Sequence, residues 1–437
     1  MTSGPTGAAG HPQRVVVLAD SDSRWKWGFL TALQLFPDAE HVGLLLDSAV
    51  APSARQLADT GVTLAPEVVG GVPDFVELDD LDAADAIILA LPGGAVQAVL
   101  HGLARRWPRP TRRPLVISGY VGVVYEKHAE GLLLRAGSDV ILANSPSDAE
   151  EFRRLLAGAG SDPAVVVETV LPFLGEADSV SPHPGAFTVT FATQPGVPST
   201  RAARELVLRR LIRHATLHPD REVLIKVRST AREMSTHYEP WPYQQLGTKL
   251  GIDRPGNLRI LYGNMGEVLQ RTDLLVTVSS TAAVEAMHRG IPTAILTDFG
   301  VQESLGNHYF IGSGCLASFA DLDDGATPVA DVAWARVRGL GPSDAVAAAR
   351  NVLDGLLATP QRPRLRPFYS MHNASGMLPK LLERFDLDGH GHALESDDDR
   401  LVDLHGAVRS LLTRAARTAY RQGVETVAPA LRRMARL

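Results

Sequence analysis

Residues 272–300 read TDLLVTVSSTAAVEAMHRGIPTAILTDFG, and this stretch decides the fold. Leu274–Val278 is a continuous apolar run, not an alternating one, which suits a strand buried on both faces of a parallel sheet. Ser279, Ser280 and Thr281 follow it. Ala282–Arg289, rich in Ala, Glu and Met, then reads as a helix that Gly290 stops and Pro292 cannot continue. A second apolar run, Thr293–Thr297, reads as the next strand. Strand, helix and strand in this order make one crossover unit of an α/β sheet.

The same alternation extends in both directions. Before it, Phe187–Ala192, Val223–Lys226 and Leu258–Tyr262 read as strands, with helices near 200–217 and 266–271. Further upstream lie Val15–Ala19, Val42–Leu46, Ala86–Ala90, Leu115–Ser118, Val140–Ala143 and Val165–Thr169. Between the two sets, Gly175–Gly185 (GEADSVSPHPG) has the composition of a linker. The reading is therefore α/β throughout: a disordered start over 1–13, one domain over 14–175 and a second over 186–359. Residues 360–437 form a linker, Gln361–Pro367 (QRPRLRP), and a helical tail. Two such domains enclose a cleft, because open α/β sheets bind ligands beyond the carboxyl ends of their strands.

Composition sets the limits. The chain has 437 residues, 45% hydrophobic and 21% charged, which suits two globular domains and excludes a disordered or fibrous protein. A net charge of −6 leaves no global basic field for nucleic acid. The single cysteine, Cys315, excludes an internal disulfide framework and a cysteine zinc site. The start MTSGPTGAAG has neither half of a signal peptide, so a cytoplasmic protein is expected. From Ala407 to Leu437 seven arginines face one acid, Glu425, with Leu404, Val408, Leu411, Leu412, Ala415 and Ala419 at helical spacing. This basic amphipathic helix either docks on a domain or lies on an anionic membrane as a peripheral anchor. Only five of the 43 basic residues are lysine. Lys26, Lys127 and Lys226 fall in or beside the strand-end loops, which raises interest in them.

The Ser279–Thr281 turn offers three hydroxyls at a helix start, where free N–H groups and partial positive charge favour a phosphate. Glu285 lies in the first turns and is placed to accept from ribose hydroxyls. The same residues also serve as ordinary caps and dipole partners. Lys226 and Arg228, at another strand end, supply cations for the charge that grows on a departing phosphate.

These residues resemble a known family. The order SST-A-A-x-E-A, then G-I-P, after the T-D-L-L-V-T-V strand is similar to the donor half of GT-B glycosyltransferases. The nearest are bacterial capsule and polysaccharide enzymes of sialyl-, Kdo- and glycerophosphate-transferring type, together with actinobacterial glycosyltransferase-like proteins. Phe191–Pro195 (FATQP) resembles the F-x-x-Q-P that opens the second domain. At Leu224–Arg228 (LIKVR), Arg228 stands where a histidine is common and no proline follows. The resemblance implies two facing Rossmann-like domains and a nucleotide-sugar donor as substrate, with no metal and no separate cofactor. It implies a glycan or lipid-linked acceptor. It also places Gln194 and the Tyr262-Gly263-Asn264-Met265 loop near the nucleotide; Gln302, Asn307 and His308, by their position after the strand Thr293–Thr297, are expected near the donor sugar or phosphates.

The first domain is expected to hold the acceptor. Asp20 and Asp22 follow its first strand and are candidate bases. Trp25, Trp27 and Lys26 offer apolar and cationic surface beside them. Gly119 and Tyr120 follow another strand, with Glu126 and His128 as rival bases. Two other functions remain open. A nucleotide-sugar 2-epimerase uses the same architecture, but usually with a Ser-Gly-Gly turn where Ser279-Ser280-Thr281-Ala282 stands here. A non-catalytic nucleotide-binding or scaffold protein is the third reading.

Overall fold

The computed structural model describes residues 13–47, 51–123, 128–174, 185–227, 239, 241–249, 254–359 and 361–394. The expected disordered start (apart from residue 13), almost all of the inter-domain linker, Glu126, Lys127, Arg228 and the basic tail lie outside them. Two parallel sheets carry the fold. The first has seven strands in the spatial order Glu67–Val69, Glu40–Leu46, Arg14–Ala19, Ala86–Ala90, Leu115–Gly119, Val140–Ala143 and Val166–Glu168. The second has six: Leu258–Leu261, Glu222–Lys226, Thr188–Ala192, Leu274–Thr277, Thr293–Leu296 and Leu316–Ala317. All pairings within both sheets are parallel. The strands are buried apolar runs because helices cover both faces.

Aspartates fix the strand starts. Asp85 Oδ2 accepts from Arg14 N at 2.9 Å, Asp139 Oδ2 from Val116 N at 2.8 Å, and Asp273 Oδ2 from Thr188 N at 2.8 Å. Each carboxylate satisfies the end amide of a neighbouring strand, which would otherwise lack a ladder partner. Each sheet also reverses its strand order once. The reversal falls between Arg14–Ala19 and Ala86–Ala90 in the first sheet, and between Thr188–Ala192 and Leu274–Thr277 in the second. These are the topological switch points where such sheets form a crevice.

The core beside the first switch point is built on tryptophan. Trp25 and Trp27 both point inward from the helix Asp22–Leu35 and are 0% and 1% exposed. Gly43 leaves room for the Trp25 ring, since a Cβ there would lie 2.2 Å from Trp25 Cη2. Gly119 does the same for Trp27, with a Cβ placed 2.8 Å from its ring.

The chain then crosses back. The helix Ala345–Leu357, expected to belong to the second domain, sets Ala349 and Leu353 into the core cluster of Trp25 and Trp27. The expected extended linker at 361–367 is instead docked. Gln361–Arg362 pairs antiparallel with Thr111–Arg112, and buried Arg113 donates to Pro363 O while forming a bidentate pair with Asp139. Leu378 and Leu382 pack beyond it on the first domain. Arg362 of this stretch is buried, its Nη1 donating to Arg113 O at 2.7 Å, while Arg364 and Arg366 are exposed.

Candidate functional site

Both switch points open onto one cleft between the sheets, a cavity of about 750 Å³. That volume lies in the range of small-molecule sites. From the first domain, the turn after the first strand contributes Ser21, Asp22, Ser23, Arg24 and Lys26. Gln56, Asp59 and Thr60 join them, with the Val121–Val123 loop alongside. From the second domain come Thr193–Val197, Lys226, Val227, Gly263, Met265, Ser279–Ala282 and Glu285.

The charges on the first-domain side are ordered. Asp20 is paired with Arg24 one helical turn on, so it holds that guanidinium in place and does not itself line the cavity. Asp59 is likewise paired with Arg55. Asp22, the first residue of its helix, reaches the cavity. Lys26 lines it one turn later, half-buried, with no ion pair among the described residues.

The second-domain wall is a hydrogen-bonded frame. The Gln194 side chain joins the two switch-point loops: its Oε1 accepts from Ser279 N at 2.9 Å, and its Nε2 donates to Ser279 Oγ at 3.1 Å. Ser279 Oγ in turn donates to Leu305 O. Ser279 is thus a buried strut at the cavity wall. Lys226 is 7% exposed, and its Nζ donates to Val227 O at 2.8 Å. It lines the cavity from the end of the strand Glu222–Lys226.

The expected cradle of free amides is corrected here. Ser280 N donates to Thr277 Oγ1, Ala282 N to Ser280 Oγ at 3.3 Å, Ala283 N to Ser280 O at 2.9 Å and Val284 N to Thr281 O at 3.0 Å. The tight turn engages these amides, and Thr281 N is the one at the turn without an acceptor among the described residues. What it presents are the partly exposed hydroxyl side chains of Ser280 and Thr281. Thr281 also meets the opposite domain, because a Cβ on Gly122 would lie 3.2 Å from its Oγ1.

Glu285 lies on this wall, 5% exposed, with Oε1 accepting from Arg289 Nη2 at 2.7 Å. Burial pushes its carboxyl above the usual value. The positive charges of Lys26 and Arg289, and the Arg289 hydrogen bond, oppose this.

Several other expected site residues lie elsewhere. Trp25 is a core residue and offers no surface to an acceptor. Gly119 serves Trp27. The Tyr120 ring is sandwiched by the Arg135 guanidinium, 4.1 Å from its centroid, and by Phe152 at 5.2 Å. All three lie off the cavity because the helix and strand that carry them turn inward to the core. Asn307 is fully buried and holds its own loop, with Nδ2 donating to Gly300 O at 2.8 Å and Oδ1 accepting from Gln302 N at 2.9 Å. Gln302 caps the same loop, and neither it nor His308 lines the cavity. Tyr262 is 42% exposed beside the cavity-lining Gly263, whose φ of +96° suits glycine. Asn264 Nδ2 reaches Thr60 O of the first domain at 3.4 Å, tying the two domains together. Glu126, Arg228 and the side chain of His128 lie outside the described residues.

The family model described as "Putative glycosyltransferase (DUF6716)" matches residues 15–354. The chain belongs to that family. Among curated proteins none matches the sequence. Among solved structures it is similar to S. aureus MnaA in complex with UDP, with a TM-score of 0.53 at 12% identity, over 79% of this chain and 97% of that one. It is similar also to the UDP-GlcNAc 2-epimerase of Methanocaldococcus jannaschii, with a TM-score of 0.52 at 9% identity, over 79% and 100%. Identities this low speak for the fold alone, and that fold is the expected GT-B type, with two Rossmann-like parallel sheets facing one cleft.

Arg204 is the residue of this site that the sequence did not reveal. Its guanidinium is fully buried and clamps the loop carrying Gln194: Nε donates to Pro198 O at 2.8 Å, Nη2 to Gln194 O at 2.7 Å and Nη1 to Trp241 O at 3.2 Å, with Glu239 as its charge partner. The available signal was weak. In the helix Arg201–Leu217, Arg204 falls on the apolar face with Val207, Leu208 and Leu211, where a solvated arginine does not belong.

Proposed function

We propose that the chain is a glycosyltransferase that moves a sugar from a nucleotide-activated donor to a glycan or lipid-linked acceptor in cell-envelope polysaccharide synthesis. The observation that carries this reading is the convergence of two switch-point loops on one cleft. One side presents Lys226, Ser280 and Thr281, and the other presents Asp22 and Lys26. The donor nucleotide lies along the second domain, with its phosphates against Lys226 and the two hydroxyls and its ribose toward Glu285. The acceptor enters beside Asp22.

In the reaction, Asp22 takes the proton of an acceptor hydroxyl. The acceptor oxygen bonds the anomeric carbon, and the bond from that carbon to the phosphate oxygen breaks. The electron pair leaves with the nucleotide. Cationic and hydroxyl groups aimed at that oxygen act more strongly as its charge develops, so they lower the barrier and do more than tighten binding.

The test is product analysis with UDP-, GDP-, CDP- and CMP-sugars and a glycan or lipid-linked acceptor. Transfer by the wild type, and its loss with donor binding intact in Asp22→Asn, is the expected result. Conversion of UDP-GlcNAc to its 2-epimer without an acceptor would replace the reading with epimerisation. Nucleotide binding without turnover would leave a binding protein. Among the described residues no helix is long and apolar enough to cross a membrane. We assign membrane contact, at the cytoplasmic face, to the basic tail from Ala407 to Leu437. Sedimentation with anionic liposomes is expected to fall when that tail is removed, and unchanged sedimentation would reject the assignment.

A further inference from the structure

A continuous string of polar groups runs from the donor wall to the facing domain. It starts at Glu285, whose Oε1 accepts from Arg289 Nη2 at 2.7 Å. The other arm of that guanidinium, Nη1, donates to Gly266 O at 3.2 Å. Gly266 N donates to Asn264 Oδ1 at 2.7 Å. The same side-chain amide turns its Nδ2 to Thr60 O of the first domain at 3.4 Å. One arginine and one asparagine thus connect a cavity-lining carboxylate with the backbone of the opposite domain.

Two glycines make room for these contacts. A Cβ on Gly266 would lie 3.1 Å from Asn264 Oδ1, 3.2 Å from Arg289 Nη2 and 3.5 Å from Glu285 Oε1, so a side chain there would press on three of the linked groups. Gly61 has a φ of +77°, and a Cβ there would stand 2.8 Å from Asn264 Nδ2. What Asn264 grips is itself one hydrogen-bonded unit. The amides of Asp59, Thr60 and Gly61 donate to Arg55 O at 2.8 Å, Leu57 O at 3.1 Å and Ala58 O at 3.1 Å, closing the helix Ala54–Ala58. That unit carries Gln56, Asp59 and Thr60 to the cavity.

A hydroxyl that donates to the Glu285 carboxylate favours its ionised form. The ionised form makes the stronger, charge-assisted bond to Arg289. A planar guanidinium held at both Glu285 and Gly266 fixes the loop that presents Asn264.

We propose that Asn264 and Arg289 are positioning residues that couple a nucleotide at Glu285 to the placement of residues 54–61 of the first domain, on the side from which the acceptor enters. This inference rests on the nucleotide-sugar reading above, in which the ribose lies toward Glu285. It gives the donor a way to set the acceptor side without touching it.

The experiment is hydrogen–deuterium exchange of the full chain, read by mass spectrometry, with and without saturating UDP, GDP, CDP or CMP. The samples are the wild type, Asn264→Ser and Arg289→Lys. Serine caps a helix as well as asparagine but is too short to reach Thr60. Lysine keeps a positive charge for Glu285 but has no second arm for Gly266. In the wild type, a nucleotide that binds slows exchange over 279–285 and also slows it about fivefold or more over 59–61. In both variants the slowing over 279–285 persists, while that over 59–61 falls below about twofold. The inference is overturned if the wild type shows slowing over 279–285 alone. It is overturned also if either variant keeps the slowing over 59–61, since the nucleotide would then reach that segment without the string. Both results leave the nucleotide site itself standing. Binding of none of the four nucleotides by folded wild-type protein overturns this inference and the proposed function together.

Discussion

Gln194→Ala tests how the donor wall is held together. The Gln194 side chain is the bridge between the two loops of the second switch point, with its Oε1 on Ser279 N at 2.9 Å and its Nε2 on Ser279 Oγ at 3.1 Å. Truncation removes both contacts and leaves the amide of a residue that is 1% exposed without this acceptor. A buried donor stripped of its partner costs about 1–3 kcal/mol. At about 2–4 °C per kcal/mol for a domain of this size, the transition assigned to the second domain falls by roughly 3–10 °C. Ser280 and Thr281 follow Ser279 directly, so a relaxed turn misplaces both hydroxyls, and nucleotide affinity drops about tenfold or more. Gln194→Glu separates the two effects. Its carboxylate keeps an acceptor for Ser279 N, so most of the thermal stability returns. Its charge at the cavity wall repels phosphate, so affinity stays low. Differential scanning calorimetry and nucleotide titration on the same samples check both outcomes. An alanine variant with unchanged unfolding temperature and unchanged affinity would refute the bridge.

Three further outcomes are expected. Ser280→Ala with Thr281→Ala weakens nucleotide binding by about tenfold or more while lowering the unfolding temperature by only a few degrees, the loss of the Ser280 Oγ acceptor for Ala282 N costing about 1 kcal/mol; calorimetry and titration together read this. Glu285→Gln removes a carboxyl that burial holds above its ordinary value of 4.5. The stability of the wild type relative to this variant therefore falls as pH rises from about 4.5 through the raised folded value, then levels off; a difference that instead grows with pH in denaturant melts would show that Arg289 and Lys26 outweigh burial. Gly43→Ala drives a methyl into the Trp25 ring and costs about 1–3 kcal/mol or more in urea unfolding, whereas a neutral result would mean that Trp25 is free to move aside.

Much of the fold was legible because its strands are continuous apolar runs. Ala86–Ala90 and Val140–Ala143 are strands with those bounds, and most others lie within one residue of the run that announced them. Glu67–Val69 and Leu316–Ala317 escaped notice, being three- and two-residue edge strands without an apolar run of their own. The return of Ala345–Leu357 to the first domain was hidden, since an amphipathic helix shows which face is buried but not against what.

The site was legible in position and less so in role. Strand-end loops bring Asp22, Lys26, Gln194, Lys226, Ser280, Thr281 and Glu285 to one cavity. Residue type alone misled at Trp25, where an aromatic beside a polar loop turned out to belong to the core. It misled also at the helix start after Thr281, where Ala282, Ala283 and Val284 N bond within their own turn. At Trp25 the outcome depends on a residue distant in sequence, Gly43, which admits the ring into the core.

The most direct test is a crystal structure of the full chain with a nucleoside diphosphate bound. The account predicts the phosphates against Ser280, Thr281 and Lys226 and the ribose hydroxyls within hydrogen-bond distance of Glu285. A nucleotide seated outside this cleft, or one in it whose phosphates touch none of these three residues, would contradict it.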